Sequence, residues 1–339
     1  MRNICFVMTP CKIPKKLIFS SSFLRLLIVV VGAVLVSPHS HAAAVRIQDR
    51  EHNEITYFAI DYKGSAEDLI APLREALSSV LKHSIYNDRL PNRFAVLIDS
   101  NWQGAPAYWS PLLFSQDGDP AILFKPRAIL GNTKLRSLVS HELTHLVHHQ
   151  FRADEEAWVR EGLALVSEYL VTGFLNASIE EGFKTTETSL TEVIDPRLEE
   201  QTSNHIRSAQ YGHILQYFYY LYKLCGKEKL FDLLLTTKSE EKGIGFINEI
   251  LALSSQLGYS QSSVCVDFKS SFIAFEKARF LRNFLKPEEH ILLGSFKATI
   301  RDAKTDIPPY SATAYKKTKD DCAQNDYDYG NYCLRIRLN

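Results

Sequence analysis

The chain has little methionine and tryptophan, two and three among 339 residues. It has no uninterrupted apolar run of the roughly 20 residues that a membrane-spanning helix requires. There is no internal repeat and no low-complexity block, which excludes solenoid and fibrous architectures. No two cysteines stand at zinc-finger spacing, so a structural cysteine–zinc site is not expected. Neither sign of charge is in excess, with 39 basic and 39 acidic residues, and nothing in that balance marks a nucleic-acid binder. With 45% hydrophobic and 23% charged residues, the composition is that of a globular protein with a substantial core.

One absence is local. Residues 1–44 contain Arg2, Lys12, Lys15, Lys16 and Arg25 but no acidic residue. An apolar stretch from Leu26 to Val36 and small residues through Ala44 follow. A basic start, a short apolar run and an Ala-rich exit predict a cleavable signal for export, cut after Ala42 or Ala44; an uncleaved anchor is the alternative. Cleavage leaves 34 basic against 39 acidic residues. It also leaves four cysteines, for which the expected pairs are Cys225–Cys265 and Cys322–Cys333, as suits an oxidising compartment. Four buried free thiols are the alternative.

Expected strands are 55–62, 93–99 and 121–125, rich in β-branched and aromatic residues. Leu69, Leu73, Leu77 and Leu81 recur at fourfold spacing after Ser65, which predicts a helix. Residues 100–119, with Gly, Pro, Trp and Asp, read as a long loop. Beyond Gly131 the pattern turns helical, with Asn132 or Thr133 as a cap and helices expected near 156–170, 205–224, 228–237, 244–254 and 264–284. A polar segment covers 176–203, and a short strand is expected at 332–338. The expected fold class is α+β. The signal occupies 1–44, a small α/β lobe 45–150, a helical lobe 151–290 and a disulfide-closed tail 291–339.

His141-Glu142-Leu143-Thr144-His145 carries the chemistry. Two histidines four apart on a helix lie on one face, where both imidazoles can reach one tetrahedral Zn²⁺. Glu142, beside the first of them, can take a proton from a zinc-activated water and pass it to a leaving amine. Sixteen residues after His145, within Trp158-Val159-Arg160-Glu161-Gly162-Leu163-Ala164, comes Glu161, the natural third ligand. Small Gly162 and Ala164 predict close packing of this helix on the first. Glu168, seven residues on, is placed either to brace a ligand imidazole or as a solvated carboxylate. His148 and His149 read as ordinary helix residues.

Together these segments resemble the gluzincin metallopeptidases, in which an H-E-x-x-H helix is paired with W-x-x-E-G-x-A. The likeness is greatest to the bacterial peptidase MA-like branch, whose catalytic core is related to that of the M1 aminopeptidases. It covers residues 120–225 or so and implies a zincin-like fold and a metallopeptidase with one Zn²⁺ per chain. It also implies that Ile122, Leu123 and Phe124 form an edge strand for an extended peptide substrate. Tyr211, or else His213, would stabilise the oxyanion. The Gly-rich amine-anchoring motif of the aminopeptidases is absent, which leaves endopeptidase action open. Two other functions fit the same residues: peptide binding without turnover, and hydrolysis of another amide such as one in peptidoglycan. Neither a nucleic acid nor a lasting membrane anchor is expected as a partner.

Overall fold

In the computed structural model the described residues are 45–48, 55–86, 89–115, 117–130, 134–174, 189–191, 204–260, 262–281, 300–301, 311–316, 322, 326–329 and 332–338. The expected signal, the Asn132 or Thr133 cap and nearly all of the polar segment 176–203 lie outside them. Five strands build the first sheet: β1 Val45–Gln48, β2 Ile55–Ile60, β3 Phe94–Asp99, β4 Ala107–Phe114 and β5 Pro120–Phe124. Their order is β1-β2-β3-β5-β4, with β2, β3 and β5 parallel and the two outer strands antiparallel to their neighbours. The inner strands are buried almost throughout because both faces are covered. Ile55, Tyr57, Val96, Ile98, Ile122 and Phe124 face the helices, whereas Phe58, Leu97 and Leu123 form a smaller cluster on the other side.

This order corrects two expectations. Residues 100–119 are not all loop, since β4 lies within them. Ile122, Leu123 and Phe124 are not an edge, because β5 is paired on both sides and β4 is the outer strand. Pro111 and a register shift between Trp109 and Phe114 hide β4 from a simple alternation pattern.

The helices are α1 Ala66–Leu81, α2 Pro126–Ile129, α3 Leu135–Phe151, α4 Ala157–Thr172, α5 Asn204–Leu224, α6 Glu228–Thr236, α7 Gly243–Gln256 and α8 Phe268–Leu281. In α1, Leu69, Ile70, Leu73, Ala76, Leu77 and Val80 are buried, the stripe that a one-sided helix requires. One apolar cluster runs from the sheet face through α1, α3, α4 and α5 to Phe268, Phe272 and Phe275 of α8. The α+β class holds, and a single core joins the sheet to the helices. A second sheet, β6 Ile300–Arg301, β7 Ser311–Lys316, β8 Tyr327–Tyr329 and β9 Tyr332–Arg337, has the order β6-β7-β9-β8. No helix among the described residues is long and apolar enough to cross a membrane.

Both expected disulfides are present. Cys225–Cys265 links the end of α5 to the turn before α8 across 40 residues, and Cys322–Cys333 closes 11 residues onto β9. Because the entropic benefit grows with the loop closed, replacing Cys225 and Cys265 by Ser is expected to lower stability by about 3–4 kcal/mol. Replacing Cys322 and Cys333 is expected to cost about 1 kcal/mol less. Urea denaturation of the two double variants checks both the size and the order.

Candidate metal centre

The turn between α3 and α4 sets the geometry of the centre. Arg152, just past α3, donates from Nε to Glu155 Oε2 at 2.7 Å and from Nη1 to the Ser239 carbonyl at 2.9 Å. Its other nitrogen, Nη2, bonds to the Glu241 carbonyl, and its guanidinium lies over the Phe246 ring. Glu155 Oε1 accepts from the backbone N–H groups of Glu156 and Gly243. Gly243 has φ +53°, and a Cβ there would fall on the Glu156 carboxylate, so this position requires glycine. Trp158 Nε1–H donates to Glu156 at 2.7 Å and fixes the first turn of α4. From the other side Tyr86 holds α3: its hydroxyl lies 2.8 Å from the Ser140 carbonyl and 3.0 Å from Thr144 Oγ1.

So held, α3 and α4 bring the predicted ligands together. His141 Nε2 and His145 Nε2 are 3.2 Å apart, and Glu161 approaches them at 3.5 and 3.6 Å. Donors about 2.0–2.1 Å from a tetrahedral ion lie about 3.3–3.4 Å from one another. The three side chains therefore fit one Zn²⁺, and among the described residues they form the one such donor group. Two imidazoles and one carboxylate leave a fourth position for water or substrate.

Glu168 is placed to brace the site. Its Oε2 lies 3.4 Å from His141 Nδ1, and its Oε1 accepts from Ser137 Oγ. In the neutral imidazole, a proton held on Nδ1 by Glu168 would leave the Nε2 lone pair free for an ion between the three donors. Burial by itself would lower the His141 pKa, but Glu161 and Glu168 outweigh it and hold the imidazole well above its ordinary range. Burial dominates at His145, which falls to about 4. Glu161 is opposed by burial, yet the two histidines hold its carboxyl at about 2. Glu142 is pushed up to about 7, first by burial and then by the neighbouring carboxylates, against the field of His141 and a hydrogen bond from the Trp109 backbone. With Glu142, Glu161 and Glu168 gathered around the two imidazoles, the centre has the acidic character that a divalent cation would neutralise.

Sequence reading overlooked three contributors. Trp109 of β4 lays its ring against His145, with centroids 5.9 Å apart, and against His149 at 5.0 Å. Tyr86 and Ser137 act on α3 and Glu168 as described. Each lies in a segment without a motif, so only the chain's path reveals them. Gly162 has a different role from the one expected. A Cβ there would enter the Phe218 ring and lie 2.9 Å from Ile214 Cγ2, so the glycine admits α5 rather than the zinc helix.

The two oxyanion candidates separate. His213 is wholly buried, its Nε2 2.6 Å from Glu276 Oε1 and its ring stacked on Phe275. Arg279 Nη1 donates to the same carboxylate at 2.9 Å. This network commits His213 to the α5–α8 packing, which corrects its candidacy for the site. Tyr211 is three and seven residues before Ile214 and Phe218, the residues that meet Gly162, so helical spacing puts it on the face turned toward α4.

Zinc titration is expected to give one ion per chain, and His141→Ala or Glu161→Ala is expected to abolish tight binding. Glu168→Gln is expected to weaken it about 10–100-fold, the usual effect of losing such a brace. Competition against a zinc-chelating dye measures all three.

No family model and no curated protein matches the chain. Among solved structures it is similar to native yeast LTA4 hydrolase, with a TM-score of 0.44 and 11% identity over 73% of this chain and 45% of that one. The chain thus spans less than half of that protein's length.

Proposed function

We propose that the chain is an exported zinc-dependent peptidase. The observation that carries this reading is the convergence of His141, His145 and Glu161 at tetrahedral spacing, with the buried carboxyl of Glu142 beside them. A bound Zn²⁺ would polarise the scissile carbonyl and make water acidic enough to attack near neutral pH. Glu142 takes the proton of the attacking water and returns it to the departing amine; a base poised near neutrality suits both transfers. The Trp109 N–H keeps that carboxylate in place. The Tyr211 hydroxyl stabilises the oxyanion by donating a hydrogen bond. An extended peptide pairs with the outer side of β4, and the stretch around Trp109 aligns it over the centre. Export is supported by the two disulfides and by the basic, apolar and Ala-rich order of residues 1–44.

Glu142→Gln is expected to retain zinc and to lose about 10²–10⁴-fold in peptide turnover, the range set by general acid–base catalysis. Tyr211→Phe is expected to lower kcat about 10²–10³-fold with a smaller change in KM. Both are read by mass-spectrometric profiling of a peptide library digested by the zinc-loaded protein. Unchanged cleavage by the Glu142→Gln variant would sink the proposal.

A further inference from the structure

Arg160 stands directly before Glu161 on α4 and is half-buried. Among the described residues no carboxylate lies within ion-pair distance of it, and its buried Nε has no hydrogen-bond partner. The two buried arginines among the described residues, by contrast, are engaged: Arg152 with Glu155 and two carbonyls, Arg279 with Glu276. Arg160 lies within electrostatic range of Glu161, His145, His148 and His149, so its cation sits beside the metal centre. Glu161 itself is taken up by the two ligand imidazoles.

Two more buried nitrogens around the same turn of α3 have no partner. They are Nε1 of Trp109, whose ring lies against His145 and His149, and Nε2 of His148, a residue only 1% exposed. A buried polar group left unpaired is costly to the fold. A half-buried guanidinium without a counter-charge adds to that cost. Such a group beside a metal centre is completed by an anion that arrives with the substrate, and a planar guanidinium matches a carboxylate through two parallel hydrogen bonds.

We propose, on the peptidase reading above, that Arg160 recognises a substrate carboxylate, so that the protein acts on peptides bearing a free carboxylate near the scissile bond. Because Arg160 adjoins a metal ligand and an extended peptide advances about 3.3 Å per residue, that carboxylate lies within about two residues of the bond. A C-terminal α-carboxylate and an acidic side chain both supply this group.

Calorimetry on the zinc-loaded, full-length Glu142→Gln protein tests the proposal independently of turnover. One matched pair is acetyl-tetra-alanine as the free acid and as the C-terminal amide; the other is an amidated acetyl-peptide with a central Glu or Gln. The acid of at least one pair is expected to bind at least about tenfold tighter than its neutral partner, a difference suited to one charge-assisted pair. The pair that shows it identifies the source of the carboxylate. Adding Arg160→Gln is expected to erase the difference, Arg160→Lys to keep part of it, and Arg160→Glu to shift preference to a peptide with a central Lys. Equal affinity within both pairs overturns the proposal, and so does an acid preference that survives Arg160→Gln. If the glutamine variant does not fold, the matched pairs and the lysine variant still decide. Turnover by the parent protein reports separately on the peptidase reading. An Arg160-dependent preference without any cleavage rejects peptidase action and keeps the recognition; cleavage without acid preference does the reverse.

Discussion

The packing of α3 on α4 is the contact on which the rest depends. It presses the buried Glu142 and the partly buried Glu161 and Glu168 together with two imidazoles, a crowding of carboxylates that a cation would relieve. The neighbouring structure holds that arrangement in place. Tyr86 fixes the middle of α3, Ser137 takes one oxygen of Glu168, and Arg152 with Glu155 locks the turn between the helices. Gly162 lets α5 close over the back of α4. These polar contacts converge on the one acidic cluster among the described residues that could hold an ion.

The metal donors were legible in the sequence because each motif is local. Four-residue spacing on α3 puts His141 and His145 on one face whatever the rest of the chain does. The helix carrying Glu161 is marked by its own residues, and the step from Glu161 to Glu168 is two turns along it. The helix bounds were legible for the same kind of reason. What sequence could not supply was tertiary. Trp109 reaches His145 only because β4 returns antiparallel to β5 at the sheet edge. Pro111 and the register shift disguise that strand as a loop, and the edge was accordingly assigned to Ile122, Leu123 and Phe124. His213 and Tyr211 are two residues apart on one helix, so their faces differ; only the position of α8 shows that His213 is turned into the helical core.

Trp109 connects sheet and centre twice. Its backbone N–H meets the carboxylate proposed as the base, while its ring leans on a ligand imidazole. The strand that would align a peptide and the groups that would cleave it thus share one residue. Arg160 stands on the other ligand helix, so β4 and α4 would each contribute to holding a substrate.

The proline in β4 has a consequence of a different kind. An outer strand that accepts an extended peptide accepts equally the outer strand of a second molecule, the route by which β-proteins aggregate. Leu112 and Phe114, 71% and 54% exposed, would make this edge adhesive. Pro111 removes a backbone donor between Trp109 and those two side chains, and the register shift bends the strand there. The accessible ladder is thereby cut to the few residues ahead of the proline. That length would still register a short peptide segment but is too short for sheets to fuse edge to edge.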